Sequence, residues 1–86
     1  MRFRLFLSPQ AEKDLKRLER SILGRIDRAL LLLSKNPHPA GTKTLQDKRL
    51  AQFRIRVGDY RVLYDVYPKD NIIYILRIGH RKNIYK

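Results

Sequence analysis

The chain has 86 residues, 43% hydrophobic and 33% charged, a balance that suits one small soluble domain and argues against a disordered segment. Twenty Lys and Arg against eight Asp and Glu give a formal charge of +12, which points to a polyanionic partner such as nucleic acid, or to an acidic protein that masks the charge. No cysteine is present and the longest apolar run is Ala29–Leu33, so disulfides, thiolate metal sites and a membrane-spanning helix are excluded, and a cytoplasmic location is expected.

In chain order, Arg2–Leu7 alternates Arg2 and Arg4 with Phe3, Leu5 and Leu7. It reads as a strand, since the apolar stretch is too short for a signal peptide and no cleavage site follows. Ser8-Pro9 reads as a helix N-cap followed by proline at the first helical position, where its missing N–H costs nothing. Ala11, Leu15 and Leu18 follow at helical spacing. A second helix is expected to start near Ser21, another cap candidate, with an apolar stripe through Ile22, Ile26, Ala29, Leu30 and Leu33. "KNPHPAGT" (Lys35–Thr42) then breaks the helix and continues as a loop that holds His38.

From Phe53 the apolar period changes to two. Phe53, Ile55 and Val57 fall on one face, Arg54 and Arg56 on the other, roughly 6.6–6.8 Å apart along a strand. Gly58-Asp59 is a two-residue turn. The strand after it sets Tyr60, Val62, Tyr64 and Val66 opposite Arg61, Leu63, Asp65 and Tyr67. "PKDN" turns the chain into a last strand, Ile72–Ile78, and Gly79 lets the strand end bend. The expected fold is α+β in the order β-α-α-β-β-β. A four-stranded, twisted, mainly antiparallel sheet would carry the two N-terminal helices on one face, as a single domain over residues 1–86.

The polar face of this sheet is where chemistry is expected. Arg54 and Arg56 leave one face, the hairpin brings Arg61 alongside, and the last strand delivers Arg77, His80 and Arg81. Guanidinium groups hold phosphate oxygens bidentately, so such a face suits a phosphodiester backbone. Of the eight carboxylates, most fall on helix surfaces and turns without ligand spacing. Asp65 is expected to pair with an arginine, and Ser8, Ser21 and Ser34 sit at helix boundaries where capping explains them. No metal and no cofactor are therefore expected. RNA offers a metal-free route, because its own 2′-OH can attack the adjacent phosphate. Arginines would stabilise the phosphorane but cannot act as bases, so proton transfer falls to His80 or Tyr85. Tyr85 has a second option, stacking on an unpaired base.

"FRIRVGDYRVLYDV" (Phe53–Val66) followed by "ILRIGHRKNIY" (Ile75–Tyr85) resembles the RelE/ParE superfamily of bacterial and archaeal toxins, and "SPQAEKDLKRL" with "NPHPAGTKTL" agrees over the first half. The resemblance implies a toxin of a toxin–antitoxin pair. Its RelE branch cleaves mRNA in the ribosomal A site without a metal, and its ParE branch poisons DNA gyrase. Carried over position by position, the RelE pattern makes Arg54, Arg56, Arg61, Arg81 and Tyr85 catalytic. Familiar members have lysines where this chain has Arg54 and Arg56, which removes a lysine base and leaves His80 as first choice for acid or base. The implied partners are an acidic antitoxin protein, and mRNA with rRNA in the A site. Gyrase inhibition, and an inactive antitoxin-binding homologue, are the alternatives.

Overall fold

A computed structural model describes residues 2–85. The elements are β1 (Arg4–Leu7), α1 (Pro9–Lys16), α2 (Arg20–Lys35), β2 (Lys43–Thr44), β3 (Phe53–Val57), β4 (Tyr60–Tyr67) and β5 (Ile72–His80). Ser8 caps α1 as its sequence predicts. Its hydroxyl accepts the Ala11 N–H at 2.9 Å and donates to the Leu76 carbonyl at 2.9 Å, which ties the helix start to the sheet. Ser21 does not cap α2. Glu19 occupies that position without a side-chain bond, because the short link after α1 starts the second helix earlier. Asn36 ends α2, and its Oδ1 accepts the His38 N–H at 3.0 Å.

The sheet order is β1-β5-β4-β3-β2, with β1 parallel to β5 and every other pair antiparallel. The α+β class and the helix pair on one face stand as expected, but the sheet has five strands rather than four. The addition is the two-residue β2, in which Lys43 pairs with Arg54 and Thr44 with Phe53. Two polar residues carry no alternation from which a strand could be read. β1 begins at Arg4 instead of Arg2, and β5 runs on to His80, because Gly79 and His80 pair with Arg61 and Tyr60. Gly79 therefore lies within the ladder and does not bend the strand end.

The main core fills the space between helices and sheet. Ile26, Leu30 and Leu33 of α2 meet Ile55, Val62, Tyr64, Ile73, Ile75 and Ile78. The fully buried Tyr64 ring spends its hydroxyl on the Pro37 carbonyl at 2.7 Å, so its polar atom is satisfied inside. On the other sheet face, Leu63, Ala51 and Ile84 form a second, smaller buried cluster with Leu45 and Leu76 at its edge.

A register shift between Leu63 and Tyr64 reorganises the last strand. Tyr64 pairs with Ile75 but Leu63 pairs with Arg77, leaving Leu76 as the extra residue of a bulge. Before the bulge Ile73 and Ile75 face the helices; after it Ile78 does, and Gly79 points the opposite way. This one-residue slip decides what every residue after Leu76 can reach. At the hairpin, Gly58 takes a φ of 60°, a left-handed conformation that favours glycine, and a Cβ there would lie 2.7 Å from Arg25 Nη2, the end of a flexible side chain that would have to shift.

Candidate functional site

The β3–β4 hairpin builds a cationic face on the side of the sheet away from the helices. Arg56 and Arg61 are direct cross-strand partners, and Arg54 stands opposite Leu63. Arg61 is the centre of the group. It is 9% exposed, and its Nη1 donates to the carbonyls of Gly58 at 3.2 Å and Tyr60 at 3.0 Å. Burial pushes the Arg61 guanidinium below its ordinary value, and the neighbouring charges of Arg56, Arg54 and Arg81 push the same way, with Tyr85 opposing them. Arg61 thus lies within electrostatic reach of four of the other residues expected in the site.

These charges are not neutralised from within. The described ion pairs are Arg49–Asp47, Arg77–Asp14 and Arg81–Asp59, none of which involves Arg54, Arg56 or Arg61. Arg54 Nη1 is buried with no hydrogen-bond partner. Like charges placed directly opposite on a sheet are destabilising. An unpartnered, half-buried guanidinium beside them makes a receptor for oxyanions. Asp65 does not pair with an arginine as expected. Its Oδ1 accepts the Gln52 N–H at 2.7 Å, and its Oδ2 faces the Tyr67 hydroxyl at 3.5 Å.

The turn after β5 completes the face. Arg81 donates its backbone N–H to the Asp59 carbonyl at 2.8 Å, and its Nε lies 3.9 Å from Asp59 Oδ1, an exposed contact over the hairpin turn. Ile84, 2% exposed, plugs into the small cluster beside Leu63. A Cβ on Gly79 would sit 3.2 Å from Ile84 Cδ1, so the bare glycine gives this plug its seat. Burying an isoleucine contributes about 2 kcal/mol, enough to hold a short turn in place. Tyr85 follows it, 44% exposed and close enough to act on Arg61.

Two expected members are elsewhere. His80 pairs with Tyr60, and its ring meets the Tyr60 ring edge-on at a 5.4 Å centroid distance, on the helix side of the sheet. There it lines a cavity of about 250 Å³ with Asp14, Arg17, Arg77 and Asn83. The bulge at Leu76 is the cause. Arg77, the residue just after the bulge, is also absent from the arginine group, since its Nε donates to Asp14 Oδ2 at 3.0 Å.

Two residues that the sequence reading passed over matter here. Lys43, paired with Arg54 across the β2–β3 ladder, adds a cation to the arginine face. Asp14 is 6% exposed and accepts the Ile78 N–H at 2.9 Å as well as Arg77. Burial raises its carboxyl, but the bonds from Ile78, Gln10 and Arg77 outweigh that and hold it below the ordinary carboxylate value. The signal was present, since Asp14 falls three residues after Ala11 and four before Leu18, on the apolar stripe of α1.

A meander over a helix pair, with clustered arginines and a tyrosine brought back beside them, is the frame of a small bacterial or archaeal toxin. Residues 5–85 match the family described as the ParE toxin of the type II toxin–antitoxin system parDE. The chain is 34% identical to RelE1 of Methanocaldococcus jannaschii over 90 aligned residues, spanning 100% of this chain and 98% of that one. It is 35% identical to the toxin RelG of Mycobacterium tuberculosis over 77 residues, 88% of this chain and 87% of the other. The archaeal RelE–RelB complex of Pyrococcus horikoshii contains a chain of the same fold, with a TM-score of 0.81 and 30% identity over 96% of this chain and 99% of that one. The chain belongs to the RelE/ParE superfamily and is the toxin of a type II toxin–antitoxin system. Among the described residues no helix is long and apolar enough to cross a membrane.

Proposed function

We propose that this toxin is a metal-independent, ribosome-dependent mRNA endonuclease. The observation that supports this most is Arg61, sunk into the sheet among Arg54, Arg56 and Arg81; among the described residues no carboxylate pairs with Arg54, Arg56 or Arg61, and Arg81 has only an exposed 3.9 Å contact with Asp59. In this reading the arginines hold the scissile phosphate and the charge that builds on it. The RNA 2′-oxygen forms a bond to phosphorus, the bond to the 5′-oxygen breaks, and the products are a 2′,3′-cyclic phosphate and a 5′-hydroxyl. The 2′-OH loses its proton and the leaving 5′-oxygen gains one. Arginine cannot exchange these protons, so Tyr85 is assigned to proton transfer or to stacking on a base. His80 is left out of this role, because its ring is on the other side of the sheet. Arg54 and Arg56 stand where a lysine base is absent, and Lys43 is placed as a further phosphate contact.

Two partners accompany the reading. The ribosome supplies mRNA and rRNA, for which a +12 chain is electrostatically suited. The other is an acidic antitoxin, whose amphipathic segment would cover exposed apolar side chains such as Leu31 and Leu32 on α2, 51% and 60% exposed. That the related RelE of Pyrococcus horikoshii was solved in complex with RelB supports such a partner. Gyrase inhibition is the second reading, favoured by the match to the ParE model over residues 5–85. Inducing the chain in a bacterium while mapping mRNA 5′ ends and plasmid supercoiling decides between them. Cuts phased to the A site support the endonuclease. DNA damage with intact mRNA supports gyrase inhibition and overturns it.

A further inference from the structure

His80 shares no face with the arginines, yet it organises the turn that reaches them. Its Nδ1 accepts the Lys82 N–H at 3.1 Å, and its carbonyl accepts the N–H groups of Asn83 at 2.9 Å and Ile84 at 3.0 Å. Three consecutive backbone donors of the turn therefore end on one residue. The turn they close seats Ile84 against Gly79 and Leu63 and holds the next residue, Tyr85, within electrostatic reach of Arg61. A ring nitrogen that accepts a hydrogen bond carries no hydrogen, so this bond can be made only by a ring whose Nδ1 is unprotonated.

We infer that His80 is a positioning residue for Tyr85, its unprotonated Nδ1 replacing the side-chain oxygen of an Asx turn. Asn and Asp make this bond to the backbone two residues on, and Nδ1 of histidine occupies the equivalent place on its side chain. Of the turn's bonds at His80, this one alone depends on the side chain, so it is the one that substitution or protonation can remove. Protonation would put a hydrogen on Nδ1, face it against the Lys82 N–H, and release the turn. The charged and titratable groups around the ring are Asp14 and Arg17 of α1, Tyr60 of β4, Arg77 of β5, and Lys82 in the turn itself. Asp14 is the one anion among them and is already engaged by Arg77 and the Ile78 N–H.

The inference rests on the reading that Tyr85 acts at the arginine face, so the test measures the turn and the activity separately. Amide exchange protection factors at Lys82 and Ile84, with Val62 and Ile73 as core controls, are compared in wild type, His80→Ala and His80→Asn. His80→Ala is expected to lower protection at Lys82 and Ile84 about fivefold, the population shift that one net hydrogen bond sets, and to leave the core amides alone. His80→Asn restores it, and A-site cleavage follows the same order. On acidification protection falls in the wild type and holds in His80→Asn, a comparison that decides the matter even if His80→Ala does not fold. Unchanged protection in His80→Ala overturns the inference. So does a His80→Asn protein as loose as His80→Ala, or as sensitive to acid as the wild type. If protection follows the acceptor while none of the three proteins cleaves mRNA, the positioning of the turn stands and the endonuclease reading fails.

Discussion

Arg61 and Arg77 are both held in the β4–β5 ladder, and they have opposite electrostatic company. Arg77 Nε meets the buried carboxylate of Asp14 at 3.0 Å, which also takes the Ile78 N–H. Arg61 meets two backbone carbonyls and otherwise only like charges and Tyr85. The first arrangement is complete within the protein. The second costs stability, and on the proposed reading it is completed by the phosphate of the substrate, as expected where function and stability compete. Substituting the two residues should therefore give opposite results. If the proposed endonuclease reading holds, Arg61→Ala should lower A-site cleavage by about 10²–10³-fold, the scale of removing one preorganised oxyanion donor, while thermal stability stays level or rises. Equal losses of stability and cleavage in both variants would end the contrast.

The Asp14 side of the comparison predicts a loss of stability. Asp14→Ala leaves the Ile78 N–H and the Arg77 guanidinium without their acceptor, and should cost about 1–3 kcal/mol in chemical denaturation, with cleavage per folded molecule retained. The pH dependence follows from the direction of the shift. The Asp14 carboxyl is held below its ordinary value in the folded chain, so the unfolded chain binds the proton first as pH falls. The stabilisation is complete above the ordinary carboxylate range and is lost as pH drops through the lower folded value. A denaturation series below neutrality should show this loss in the wild type and a smaller one in Asp14→Ala.

The same two arginines show how far the sequence could be read. Alternation in Phe53–Val57 and Tyr60–Tyr67 was enough to place Arg54, Arg56 and Arg61 on one face, because period two and a glycine-led hairpin determine direction. It failed in the last strand, where continued alternation from Ile73 and Ile75 would keep Arg77 in phase with them. The buried isoleucines are at 73, 75 and 78, and that odd step is the trace of the bulge. Read that way, the sequence moves His80 off the arginine face, whereas Arg77 is drawn away by its bond to Asp14. β2 had no such trace, since two polar residues become a strand only through their partner's hydrogen bonds. Nor does any local pattern say that Ile84 folds back onto Gly79, a contact set by tertiary packing.

That contact supplies a smaller prediction. Gly79→Ala places a methyl 3.2 Å from Ile84 Cδ1, a distance at which the isoleucine must yield by a few tenths of an ångström. Because the obstacle is the end of a flexible side chain, the cost should be about 1 kcal/mol, partly offset by the lower freedom of alanine in the unfolded chain. The midpoint of unfolding should barely move. Tyr85 is displaced with the turn, so cleavage should fall by about two- to fivefold. A wild-type rate would mean that the position of Tyr85 does not matter to the chemistry.

The smallest effect tests the arginine at the border of the two environments. Arg81 has a carboxylate nearby, as Arg77 does, but its Nε is 3.9 Å from Asp59 Oδ1 and both side chains are more than half exposed. An exposed pair of this kind contributes less than about 1 kcal/mol, and the backbone bond from Arg81 to Asp59 does not depend on the carboxylate. Asp59→Asn should therefore leave the unfolding midpoint almost unchanged. If Arg81 belongs with Arg61, removing the anion frees it for phosphate: RNA binding should tighten about twofold, and the salt dependence should steepen by up to about 0.7 log units per log of salt, the increment for one single-strand phosphate. If it belongs with Arg77, the same substitution loosens the turn and weakens binding. The sign of the change in affinity thus assigns Arg81 to one company or the other, even where its size is slight.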